Sequence, residues 1–187
     1  MKYRLLTICC CAALVACQAP NTDSAQATTP GIENYTNLFT DQLPSDIAVM
    51  QVVDKTATQM APTKQVRKAV RAYFLKRGYS PLSPDYLDNK FEATSASSLG
   101  LARTGGVEVL VYSWDETRAY SAGTLRFDVE ISIYGDNGAV LFNARHHAKV
   151  QLAAGEMGSI MVGRRANRLI GQMVSGLLVK LPAPPPM

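Results

Sequence analysis

The chain has 187 residues and a formal net charge of +4, a length that suits one domain plus a tether, with room to bury a core without covalent staples. Lys2 and Arg4 precede the first apolar run and supply two of the 19 basic residues, so beyond them 17 basic residues face 15 acidic ones, too small an excess to argue for nucleic-acid binding. The four cysteines, Cys9, Cys10, Cys11 and Cys17, all lie at the start, which excludes an intramolecular disulfide, a cysteine metal site and a thiol nucleophile from everything that follows.

Residues 1–16 have the layout of a secretory signal: Lys2 and Arg4, an apolar run from Leu5 to Val15, then small residues. The run is shorter than the roughly 20 residues a membrane-spanning helix needs. Leu14-Val15-Ala16-Cys17 resembles a bacterial lipobox, which implies cleavage before Cys17 and lipidation (diacylglyceryl and N-acyl chains of the palmitate type) on that cysteine. The alternative is an ordinary cleaved signal with a coincidental cysteine. Two or more chains anchor a protein stably where one holds it only marginally. Residues 17–45 then read as the lipidated cysteine and a flexible tether, rich in Ala, Thr, Asn, Gln and Pro. Within it Ile32, Tyr35, Leu38 and Phe39 mark either a short segment that docks on the domain or a partner contact. Gln18, where an Asp tends to retain lipoproteins in the inner membrane, favours a lipid-anchored, periplasm-facing position in the outer membrane.

A single domain is expected over 46–181. Asp46 to Val53 is a near-continuous apolar run, as in a strand buried on both faces. Pro62 then opens a helix in which Val66, Ala69, Val70, Tyr73 and Phe74 share one side, with Gly78 as its stop. Tyr79 to Leu82 is a short strand. Ser83-Pro84-Asp85 starts a short helix by a hydroxyl cap, a first-turn proline and an acid suited to the helix dipole. That helix fades near Phe91, and a second short one continues from Ala93 to Leu101, ended by Gly105-Gly106.

Three strands follow. Val107 to Arg118 begins buried and turns polar; Thr124 to Tyr134 alternates strictly, with Leu125, Phe127, Val129, Ile131 and Ile133 on one face. Asp136-Asn137-Gly138 is a hairpin turn, because Asn-Gly readily takes positive φ. The return strand runs from Ala139 to Leu152. A last amphipathic helix spans Ser159 to Leu181, burying Val162, Ala166, Leu169, Ile170, Met173, Val174, Leu177 and Leu178 with Arg164, Arg165 and Arg168 outward. Residues 182–187 form a proline-rich tail. The fold class is therefore α/β (α+β): a mixed sheet of about five strands with helices packed on it, in the order β-α-β-α-(α)-β-β-β-α, part of one sheet face staying wet.

Chemistry-bearing patterns are few. The first helix carries Lys64, Arg67, Lys68, Arg71, Lys76 and Arg77 with no acid between Pro62 and Gly78. Lys64/Lys68 and Arg67/Arg71, four apart, repel by a few tenths of a kcal/mol each. The face is either presented to an acidic partner or anionic headgroups, or is solvated and balanced by acids elsewhere in the fold. Tyr112, Trp114 and Tyr120 gather near the end of the third strand as a second candidate contact; such aromatics serve interfaces and cores alike. His146 and His147 are neighbours on a strand and point to opposite faces, so they do not share a metal. No zinc, calcium, nucleophile-elbow or phosphate-loop motif occurs, and no spacing pairs Asp115, Glu116 or Glu156 as catalytic carboxylates. Neither an enzymatic activity nor a cofactor nor a metal is expected.

The order of elements, with the Ile47-Ala48-Val49 strand, the Pro-initiated helix, Gly78-Tyr79, the Gly106 to Tyr112 strand, the long hairpin and the terminal helix, resembles a loose group of envelope lipoproteins and domains. The group includes the curli-secretion lipoprotein, the N-terminal domain of the Tol-Pal β-propeller protein, lipoprotein activators of penicillin-binding proteins and small outer-membrane lipoproteins. The matching segments are Asp46 to Val53, Gln65 to Leu82 and Gly106 to Leu178. The resemblance implies assembly, scaffolding or recruitment with envelope protein partners or as an oligomer, and no catalytic residue is inherited. The curli-type pore needs membrane-spanning hairpins, for which this sequence has no pair of long alternating segments. The expectation is thus a non-catalytic membrane-anchored lipoprotein that scaffolds or assists an envelope assembly or transport system. The alternative is a ligand- or lipid-binding auxiliary lipoprotein of an ABC-type transporter.

Overall fold

A computed structural model describes residues 32–37, 43–91, 96, 103–117, 124–151, 159–181 and 184, with 32–37 and 159–165 described in their backbone alone. The elements in chain order are β1 (Ile32–Asn37), β2 (Asp46–Val49), β3 (Val53–Asp54), α1 (Thr63–Lys76), β4 (Ser80–Pro81), α2 (Pro84–Lys90), β5 (Thr104–Asp115), β6 (Thr124–Tyr134), β7 (Val140–Gln151) and α3 (Ser159–Leu177). The expected α+β architecture is present as an open mixed sheet in the order β1-β7-β6-β5-β2-β4, with β3 also paired to β5. β5, β6, β7 and β1 form an antiparallel meander-like half, while β2, β3 and β4 run parallel in the other half.

The sheet has seven strands rather than about five. One addition is β1, which lies inside the stretch read as tether: residues 32–37 dock on the domain as an edge strand along β7. Polar composition hid it, because its pairing partner stands more than a hundred residues away in sequence. The other addition comes from the run Asp46 to Val53, which is two strands. One residue more is fitted between Val49 and Val53 than between their partners Val107 and Leu110 on β5, so pairing breaks at residues 51 and 52 and then resumes.

α1 and α3 cover one sheet face. Val66, Val70 and Phe74 of α1 and Leu169, Ile170, Met173, Val174 and Leu177 of α3 meet Ile47, Val49, Val107, Val109, Val129, Ile131 and Phe142 in one core. Full burial of each such side chain contributes about 1.5–3 kcal/mol. α1 ends in a Schellman motif: Tyr79 N–H donates to Phe74 O and Gly78 N–H to Leu75 O, both at 3.0 Å, with Gly78 at φ +92° and the Tyr79 ring edge-on to Phe74. The α3 C-terminus is tied back to α1, since Tyr73 Oη donates to Leu178 O at 2.6 Å and Arg77 Nη2 donates to Leu181 O.

Among the described residues the opposite face is covered only at one end. There Leu87 of α2 and Ala96 pack on Ala48 and Met50, the outward neighbours of Ile47 and Val49. Gly105 and Gly106 lie inside β5 rather than ending a helix. A Cβ on Gly106 would stand 2.6 Å from Ala96 O, so this glycine lets the Ala96 segment lie directly on the strand. The hairpin turn is as expected, with Gly138 at φ +77°. The signal, Cys17, the tether apart from 32–37 and 43–45, the stretch expected as a second short helix apart from Ala96, and the tail apart from Pro184 lie outside the described residues.

Candidate functional site

β2 and β4 are parallel neighbours, and the helices that follow them go to opposite faces of the sheet, α1 with Ile47 and Val49 and α2 with Ala48 and Met50. In open sheets that arrangement leaves a crevice beyond the carboxyl ends of the two strands. A cleft of about 450 Å³ occupies this position. The break between β2 and β3 supplies Gln51 and Val52, α2 supplies Pro84 and Asp88, and the first three turns of α1 supply Thr63, Lys64, Arg67, Lys68 and Arg71. Four of the six cations singled out on this helix, Lys64, Arg67, Lys68 and Arg71, thus share one concave surface, while Lys76 and Arg77 do not line it.

Their roles divide. Arg67 Nε donates to Val49 O at 3.1 Å, satisfying the carbonyl left at the strand break, and Nη1 donates to Asp88 Oδ2 at 2.8 Å. The Arg67 hydrogen bond, together with its charge and a bond from Gln51, lowers the Asp88 pKa against the opposing effect of burial. Nη2 of Arg67 is buried and has no acceptor among the described residues. Arg71 Nη1 donates to Leu82 O, and burial together with the Arg67 charge lowers its pKa. Lys64 and Lys68 are exposed and pair with no carboxylate among the described residues. The arginines brace the fold, and the lysines are free to meet something else.

The loop that brings α1 to the cleft is held by one side chain. Asp54 Oδ1 accepts from Thr56 N–H at 2.8 Å and Thr56 Oγ1 at 2.6 Å, and Oδ2 accepts from Ala61 N–H at 2.9 Å. Burial works to raise the Asp54 pKa, but these three bonds outweigh it and lower the value.

A second surface is the outward face of β5, β6 and β7. Glu130 accepts from Tyr112 Oη at 2.9 Å and from Asn143 Nδ2 at 2.6 Å, and Asn143 Nδ2 also donates to Ser132 Oγ at 2.8 Å. Arg145 grips Asp128 with Nε at 2.8 Å and Nη2 at 2.6 Å while its guanidinium lies 4.3 Å from the centre of the Tyr112 ring. The Arg145 hydrogen bond lowers the Asp128 pKa, and the same bond raises that of Arg145. These side chains are half-buried by one another, as a wet sheet face should be.

Tyr112 belongs to this face; Trp114 does not. Trp114 is 8% exposed, stacks on Phe127 with ring centres 6.0 Å apart and donates from Nε1 to Glu116 Oε1 at 2.7 Å, so the expectation of a partner contact is corrected to a core position. The cause is a bulge at Tyr112: Val111 pairs with Val129 but Ser113 pairs with Asp128, which returns Trp114 to the inner face. Tyr120 lies outside the described residues. His146 is buried edge-on to Phe127 and His147 stands on the outer face with Nδ1 3.8 Å from Asp128, opposite faces as expected. Among the described residues no group of His, Cys, Asp and Glu is placed to hold a metal ion, and no helix is long and apolar enough to cross a membrane.

Gln51, Val52, Thr63, Pro84 and Asp88 were not anticipated as site residues. The one local signal was Gln51, a polar residue interrupting the apolar run that ends at Val53.

The chain is an α+β open-sheet protein, and its fold is similar to that of a solved bacterial lipoprotein. Lipoprotein GNA1162 from Neisseria meningitidis matches with a TM-score of 0.50 and 11% identity, over 71% of this chain and 99% of that one. A PelC dodecamer structure from Paraburkholderia phytofirmans matches with a TM-score of 0.48 and 15% identity, over 77% of this chain and 96% of that one. No family model and no curated protein matches the sequence.

Proposed function

We propose that the protein is a non-catalytic, membrane-anchored periplasmic lipoprotein, held in the outer membrane through Cys17, that scaffolds or assists an envelope assembly or transport system. The observation that carries this reading is the outward face of β5–β7. Its Tyr112–Glu130–Asn143 and Arg145–Asp128 ladder is fixed in place by mutual hydrogen bonds, and α2 and Ala96 leave it uncovered among the described residues. A rigid, aromatic and charged surface loses little entropy on docking a protein partner. The test is site-specific photo-crosslinking in intact cells from His147 and Lys149, exposed on that face, against Lys76 on the far side of the sheet. Protein adducts confined to the first two positions are expected; recovery of lipid alone overturns the scaffold reading. A Cys17→Ala form is expected to leave the membrane fraction, and separation of inner from outer membranes tests the inference from Gln18.

The cleft favours a second reading, a ligand-binding auxiliary lipoprotein of an ABC-type transporter. Its volume falls in the range of small-molecule sites, and its position is the one open sheets use for ligands.

A further inference from the structure

Resting on that second reading, we infer that the cleft between α1 and α2 is a binding site for a phosphate ester. Four cations and one carboxylate line it, a charge balance that suits a dianion better than a monoanion. The distribution of donors points the same way. A carboxylate is best held by the two parallel N–H groups of an arginine fork, and here the Arg67 fork is already spent on Asp88 and Val49. What remains for a ligand is the pair of exposed ammonium groups of Lys64 and Lys68, one turn apart on the cleft lining. An ammonium group acts as a point charge with rotatable donors, which suits a phosphate better than a carboxylate, whose oxygens favour the planar fork. Val52 and Pro84 give the cleft apolar walls, and its volume exceeds what a bare phosphate fills, so the ligand carries an organic part.

Two sources present this chemistry, a soluble phosphomonoester and a phospholipid headgroup, and the experiment separates them. The full chain in neutral detergent is titrated calorimetrically at low ionic strength with glycerol 3-phosphate, with dihexanoyl phosphatidic acid, and with glycerol and acetate as controls. Saturable binding of either phosphate probe, with the controls silent, is expected. The Lys64→Gln/Lys68→Gln double variant is expected to weaken it at least tenfold; both lysines are exposed, so an unchanged thermal melt shows the fold intact. Binding of glycerol 3-phosphate assigns a soluble ester, and binding of the diacyl probe alone assigns a headgroup. Acetate binding as tightly, or phosphate binding that the double variant retains, overturns the inference. If neither phosphate probe binds and native mass spectrometry finds an uncharged ligand that a bulky Val52→Trp variant expels, the inference falls and the ligand-binding reading stands. If neither probe binds and no ligand is found, both fall.

Discussion

Arg67 on one face of the sheet and Asp88 on the other meet around its end, Nη1 to Oδ2 at 2.8 Å. The Arg67 side chain is 12% exposed and that of Asp88 36%, so the pair lies between a surface bridge and a buried one. Arg67→Ala also removes the donor to Val49 O. It is expected to cost about 2–3 kcal/mol, against about 1 kcal/mol for Asp88→Asn, which leaves the arginine its carbonyl. Urea denaturation measures both. Equal losses would mean that the bond to Val49 contributes nothing.

Acid should weaken the fold through three carboxylates. Asp54, Asp88 and Asp128 all have lowered pKa values. A lowered folded-state pKa contributes stability that is complete above the unfolded carboxylate value, near 4, and is lost as pH falls through the folded value. The contribution of these three carboxylates is therefore expected to be complete above about pH 5 and to be lost below about pH 4. Asp54→Asn, which disturbs the loop leading into α1, should cost about 1–2 kcal/mol at pH 7 and reduce the drop on acidification. Denaturation series at pH 7 and pH 3 for both proteins check this, and an unchanged drop would remove Asp54 from the account.

Glycines separate by what surrounds them. In β5, Gly106→Ala puts a Cβ against the Ala96 backbone and is expected to cost about 2 kcal/mol or more. Gly105→Ala meets the side-chain ends of Ile47 and Leu43, with Tyr134 O at an ordinary 3.5 Å, and should cost less. In α3, a Cβ on Gly171 or Gly176 meets nothing within 4 Å. Each change to Ala is expected to stabilise by about 0.5–1 kcal/mol through helix propensity and a less flexible unfolded chain. Melting temperatures of the four variants rank them.

Local pattern made β6, the Gly138 hairpin, α1 and α3 readable, because period-2 alternation and a 3.6-residue stripe are written in neighbouring residues. What depended on distant partners was not readable. β1 is polar sequence whose strand state comes from β7, and Gly106 looked like a stop until Ala96 was placed against it. The site followed the same rule. Lys64, Arg67, Lys68 and Arg71 stood out on one helix, but Gln51 and Asp88 join them only because successive connections pass to opposite sheet faces.

The bulge at Tyr112 yields the sharpest contrast between adjacent aromatics. Trp114→Ala empties a packed site against Phe127 and strands Glu116 without its donor, so a loss of about 3–5 kcal/mol is expected. Tyr112→Phe removes one hydrogen bond, yet Glu130 keeps Asn143 and the ring still carries Arg145, so the loss should be about 0.5–1 kcal/mol. Tyr112→Ala adds the loss of that stacking and should reach about 1–2 kcal/mol. Partner adducts from the outer face should diminish with Tyr112→Ala and persist with Trp114→Ala at a temperature where both remain folded. A Tyr112→Ala loss as large as that of Trp114→Ala would mean that the outer face is itself a core, covered in the native protein, and the docking surface would have to be sought in the cleft.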